Sequence, residues 1–187
     1  MKIFITGEVK VGKTTLIKEI SEILIKNGYK ISGFITTDVV KEEKRVGFNI
    51  IDIVTKEERL FASKLIKTEQ KFGSYYLNIK NLDKTLENVL KREYDFLIID
   101  EIGKMEFYSK IFIESIDNIV KKDINLLATL NRDFVVNYLN YGIIYVLTLN
   151  NREKIKNEIL KIVKKEYKKW ASQIIKKRLD GKKQFRF

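Results

Sequence analysis

The chain contains no cysteine, no histidine and no proline among its 187 residues, and only one tryptophan. Each absence excludes something. Without cysteine there are no disulfides, no thiol nucleophile and no thiolate metal site. Without histidine there is no imidazole base, so any base chemistry falls to a carboxylate or to water. Without proline, glycines and polar clusters must mark the element boundaries. No apolar run approaches the roughly 18 residues of a membrane span, and nothing resembles a signal peptide with its cleavage site. These features predict a cytoplasmic protein with no membrane partner.

Hydrophobic residues make up 44% of the chain, enough for a globular core. The formal charge of +12 is uneven, because positions 161 to 187 hold eleven basic residues against two acidic ones. The length predicts one main domain, 1–163, with a hairpin insertion near 31–63. A basic tail, 164–187, is expected to continue the last helix.

Residues 7 to 14 read Gly7-Glu8-Val9-Lys10-Val11-Gly12-Lys13-Thr14, which matches the Walker A pattern G-x-x-x-x-G-K-[ST] in full. Its surroundings fit as well. Lys2 to Thr6 reads as a buried strand, and Thr15 to Ile25 has apolar residues at helical spacing before Gly28. Strand, glycine loop and helix together make a phosphate site. Backbone N–H groups converge there, and the helix N-terminus adds positive potential. Lys13 is expected to reach the β- and γ-phosphates, Thr14 to ligate Mg²⁺, and Thr15 to meet the α-phosphate.

Downstream, strands are expected at Lys30–Thr37 and Arg45–Val54 around a polar turn, Asp38–Lys44. Short strands follow at Arg59–Ala62 and Ser74–Ile79, with a helix over Leu82–Leu90. Tyr94 to Asp100 is a continuous apolar run ending in an aspartate, as in a central parallel strand. A helix over Ile111–Val120, a strand at Asn125–Thr129, a helix over Asp133–Asn140 and a strand at Ile143–Thr148 complete the alternation. From Arg152 onward Ile155, Ile159, Ile162, Val163, Tyr167, Trp170 and Ile174 form one stripe. Alternating βα units imply an α/β fold with a mostly parallel sheet flanked by helices.

Asp100-Glu101 supplies the second half of a phosphohydrolase site. An aspartate ending an apolar strand is the Walker B position for Mg²⁺, and Glu101 beside it is placed to deprotonate water. Asp100-Glu101-Ile102-Gly103 also fits the D-x-x-G of GTPases. The loop Leu149-Asn150-Asn151-Arg152-Glu153 lacks the aspartate that reads guanine, so loose base specificity is expected.

With these motifs the chain resembles the thermophilic nucleoside-triphosphatase (THEP-type) family, which includes the human cancer-related NTPase. The resemblance runs from Lys2 to Lys164. It rests on the phosphate loop, on Gly33-Phe34-Ile35-Thr36-Thr37-Asp38-Val39 with Arg45-Val46-Gly47-Phe48, and on Asp100-Glu101-Ile102-Gly103-Lys104-Met105-Glu106. It implies a RecA-like P-loop fold and Mg²⁺-dependent hydrolysis of several nucleoside triphosphates. Lys10 stands where the family customarily has glycine.

Beyond Lys13 and Mg²⁺, phosphoryl transfer needs a further cation. Arg45 and Lys104 are the candidates, each equally readable as a solvated surface charge. Glu106 reads as a partner of Lys104 or as a helix N-terminal acid. Thr129 and Asn131 occupy the place of a polar γ-phosphate sensor or an ordinary turn. Arg152 either stacks on the base or opens the last helix. Two alternatives to hydrolysis remain: a nucleotide or small-molecule kinase, and an RNA- or DNA-binding ATPase using the basic tail. A monomer is expected, and nucleic-acid binding is the lesser reading of the tail.

Overall fold

The computed structural model describes residues 1–165. Its contacts divide the chain into two units, Met1–Asn150 and Asn151–Phe187. The first unit holds one nine-stranded sheet in the order β5-β6-β4-β3-β2-β7-β8-β1-β9. The strands are β1 (Lys2–Gly7), β2 (Ile31–Lys41), β3 (Lys44–Asp52), β4 (Glu58–Ser63), β5 (Gln70–Phe72), β6 (Tyr75–Leu77), β7 (Phe96–Ile102), β8 (Leu126–Leu130) and β9 (Ile143–Leu147). The helices are α1 (Lys13–Lys26), α2 (Ile79–Leu90), α3 (Lys110–Lys121) and a single turn, α4 (Val135–Tyr138).

Strands β2, β7, β8, β1 and β9 are parallel to their neighbours, and β2 to β6 form an antiparallel extension. The period of two in a strand distributes side chains to opposite faces. Phe4, Leu97, Ile99, Ala128 and Leu130 join a core with Leu82, Leu86 and Val89 of α2 and Phe112 and Ile116 of α3. The intervening Ile3, Ile5, Ile98 and Leu127 are buried too. Both faces are therefore covered, which is why these strands read as unbroken apolar runs.

The expected turn from Asp38 to Lys44 shrinks to Glu42-Glu43, both at positive φ (49° and 58°). Two left-handed residues make the tight hairpin connection that matches strand twist. Asp38 therefore lies within β2, opposite Phe48 of β3. Helix α2 begins at Ile79 rather than Leu82, because the Asn78 side chain accepts the Asn81 N–H as an N-cap. The helix expected over Asp133–Asn140 is a 3-10 turn (Arg132–Phe134) followed by α4. In the second unit a helix spans 152–165, with Ile155, Ile159 and Val163 buried on one stripe. Tyr167, Trp170, Ile174 and the tail from 166 onward lie outside the described residues. No helix of the described residues is long and apolar enough to cross a membrane.

One ion pair fastens the antiparallel half to the bend that follows α2. Asp52, 3% exposed at the end of β3, accepts two hydrogen bonds from Arg92, 2.8 and 2.6 Å long. It also accepts the N–H groups of Val54 and Thr55. Burial works against its charge, but Arg92 and the two backbone donors outweigh burial and hold its pKa below the ordinary value. Asp52→Ala should therefore cost about 2–3 kcal/mol at neutral pH, since it strands a partly buried guanidinium and uncaps a turn. The contribution is present above the ordinary carboxylate pKa and is lost as pH falls through the lower folded value. Urea unfolding of both proteins should show the gap at pH 7 and its disappearance at strongly acid pH.

Candidate active site

The phosphate loop connects β1 to α1. Gly12 immediately precedes the helix at φ 97°, a left-handed conformation that glycine adopts without penalty. Lys10 takes φ 64°, so the lysine at the customary glycine position adopts a glycine-like backbone. Leu16, Ile17, Ile20 and Leu24 anchor α1 against the sheet, so its first turn is held rigidly over the strand ends. Lys13 Nζ donates to the carbonyls of Gly7 and Glu8 at 3.1 and 3.0 Å.

Strand β8 lies between β1 and β7, so one strand separates the phosphate loop from Asp100-Glu101. Asp100 is 1% exposed and firmly held. Its Oδ1 accepts from Thr129 Oγ1 of β8 at 2.6 Å, and its Oδ2 accepts from Thr36 N and Oγ1 of β2 at 3.2 and 3.1 Å. Three strands thus fix one carboxylate. Each carboxylate oxygen has two lone-pair directions, so three accepted bonds leave one free on Oδ1. An oxygen donor of this kind suits Mg²⁺, which takes few protein ligands and keeps waters and phosphates.

Glu101 follows on the same strand. Burial raises its pKa and Asp100 adds to that, while Lys13 and a hydrogen bond from Asn131 pull it back down; the net shift is upward. Lys104 does not pair with Glu106; its ammonium meets the carboxylate of Asp133. Glu106 instead turns inward, 4% exposed, and accepts from its own N–H and that of Gly103. A Cβ added at Gly103 would sit 2.7 Å from Glu106 Oε2 and 3.1 Å from Glu101 Oε1, so only glycine lets both carboxyl groups flank this turn.

Burial, followed by the nearby Glu101 charge, pushes the Glu106 pKa up to about 8. A raised carboxyl pKa weakens the fold progressively as pH climbs from the ordinary value through 8, because the folded state must keep or lose a proton unfavourably. Glu106→Gln keeps the shape and stays neutral, so it should stabilise the protein at pH 8 and gain little at pH 5. Thermal unfolding at both values measures the difference.

Gly7, Val9, Lys10, Gly12, Lys13, Thr14, Thr15, Glu101 and Lys104 line one cleft of about 820 Å³. Its far wall comes from the antiparallel half: Arg45, Phe48, Phe61, Phe72 and Tyr75. The Phe48 and Tyr75 rings are 5.2 Å apart, and the Arg45 guanidinium lies 4.9 Å over Phe48. Arg45 is also paired with Asp38 at 3.4 Å. Asp100 sits behind this surface, while Glu8 enters through its carbonyl on Lys13 and its carboxylate on Arg132. Arg152 opens the helix of the second unit.

Sequence reasoning did not single out Arg132 and Asp133, nor the aromatic wall. No local pattern marks them, since their contacts arise only when β8 is inserted between β1 and β7 and the hairpin folds beside β7.

A phosphate loop before a rigid helix, and a held Asp-Glu pair one strand away, define a P-loop NTPase. The NTPase family model matches residues 2–160. Nucleoside-triphosphatase THEP1 of Methanocaldococcus jannaschii is 46% identical over 163 residues, covering 86% of this chain and 95% of that protein. The Thermotoga maritima protein of the same name is 38% identical over 172 residues, covering 88% and 96%. Among solved structures, THEP1 from Aquifex aeolicus superposes with a TM-score of 0.75 at 34% identity, covering 87% of this chain and 98% of that one. A human cancer-related nucleoside triphosphatase gives 0.71 at 25% identity, covering 87% and 96%. The chain belongs to the THEP1 nucleoside-triphosphatase family, and it is a hydrolase of nucleoside triphosphates.

Proposed function

We propose that the chain cleaves the γ-phosphate of ATP, GTP and other nucleoside triphosphates, giving the diphosphate and phosphate, with Mg²⁺ as cofactor. The observation that carries this reading is Glu101, a half-buried carboxylate held by Asn131 in the cleft that also holds Lys13. Thr14 and Asp100 would hold the ion, Asp100 through water. When bound, Mg²⁺ neutralises charge on the β- and γ-phosphates.

The loop from Gly7 to Thr15 directs N–H groups at the phosphates, and Lys13 leaves its two carbonyls to reach them. Glu101 takes a proton from water as the water oxygen bonds to the γ-phosphorus. The bond to the bridging oxygen breaks, and its electron pair leaves on the β-phosphate. A carboxylate with a raised pKa is the better base near neutrality. Arg45 and Lys104 add positive charge to the cleft walls. In the same reading the protein acts as a cytoplasmic monomer.

No loop with the guanine-reading aspartate is present in the sequence, so purine and pyrimidine triphosphates should turn over within about an order of magnitude of one another. Phosphate release across the four common triphosphates, with Mg²⁺ and with excess chelator, tests this. A thousandfold preference for one base, or turnover that survives chelation, would overturn the corresponding part.

A further inference from the structure

Residues 131 to 133, immediately past β8, contact three separate parts of the site. Asn131 hydrogen-bonds Glu101, Arg132 pairs with Glu8 of the phosphate loop, and Asp133 pairs with Lys104. All three line the cleft. Neighbouring strands lie about 4.8 Å apart, so the ends of β1 and β7 are separated by roughly 10 Å. The end of β8 overhangs the middle of that gap. A γ-phosphate projecting from the loop toward Glu101 must pass there.

We propose that Arg132 is a catalytic residue, exchanging Glu8 for the γ-phosphate of a bound triphosphate and stabilising the charge that develops during its cleavage. The inference rests on the hydrolytic reading above. Arg132 and Glu8 have side chains 55% and 71% exposed, and ion pairs at such exposure contribute little, so the exchange costs little. A phosphate offers more charge than one carboxylate and matches the planar guanidinium fork through two parallel hydrogen bonds. The competing cations are less well placed. Arg45 is pinned by Asp38, bonded to Tyr75 and stacked on Phe48, on a hairpin beyond β2. Lys104 presents a point charge without a fork and is held by Asp133. Glu8 then has a role of its own, holding Arg132 at the lip of the loop.

The test is Mg²⁺-ATP hydrolysis by wild type, R132A, R132K and E8Q, together with ATP binding, melting temperature and capture of Mg²⁺-ADP by aluminium fluoride. R132A is expected to lose on the order of a thousandfold in kcat, while its ATP affinity stays within about threefold and its melting temperature holds. It should also fail to form the stable aluminium fluoride complex that wild type forms. R132K should recover part of the loss. E8Q, which removes a negative charge from the phosphate loop, should bind ATP more tightly. R132A turning over within threefold of wild type overturns the assignment, as does R132A that traps ADP and aluminium fluoride normally. Equal loss of binding and turnover in both R132A and R132K also overturns it, in favour of a structural role. Wild-type protein that releases no phosphate from any triphosphate overturns the hydrolytic reading itself.

Discussion

Replacing Glu101 with glutamine is expected to abolish turnover, by about a thousandfold or more, while nucleotide binding persists. The amide keeps the shape of the carboxylate and can still accept from Asn131, but it cannot take a proton from water. The expected kinetic pattern is a fall in kcat with little change in nucleotide affinity, the signature of an interaction needed only in the transition state. The wild-type pH profile supplies an independent check. Since the Glu101 pKa is raised, its base form is lost on acidification earlier than for an ordinary glutamate, so the acid limb should bend above the usual carboxylate range. Full turnover by Glu101→Gln would place the base elsewhere.

Lys13→Ala should be the second large loss, at least about a hundredfold in kcat/KM, because it removes a cation from both the leaving and the transferred phosphate. Binding should weaken here as well, in contrast to the glutamine variant. Lys13 donates to the carbonyls of Gly7 and Glu8, both within its own loop, so the fold should tolerate the change. Nucleotide titration, phosphate release and a melting curve on the one variant separate these effects. A variant that hydrolyses ATP as the parent does would remove the phosphate loop from the mechanism.

What was legible in the sequence was what lies close together along the chain. Residues 7 to 15 carry their whole pattern in nine positions, and the strand and helix beside them announce themselves by burial. Asp100 was legible because both faces of β7 are covered, so the apolar run before it is unbroken. The hairpin turn is tighter than its run of polar residues implies. Glu42 and Glu43 adopt left-handed backbone that glycine or asparagine would have advertised. The helix expected over Asp133–Asn140 was too long, because Val136 and Leu139 are exposed rather than packed. Arg132 was invisible for a different reason: its partner, Glu8, is 124 positions away, and no local pattern encodes such a meeting.

The strand order also dictates when in the life of the chain the site can exist. Lys2 pairs with Leu126 and Ile3 with both Leu127 and Ile143, so β1 finds neither neighbour until the chain has been made as far as β8 and β9. The antiparallel strands β2 to β6 are joined in sequence by short connections and can pair as they leave the ribosome. The phosphate loop is thus synthesised well before the strands that hold it in place. Any nucleotide that the loop captures reports on a sheet already closed from β7 to β9, and its binding favours that finished chain over every partly folded one.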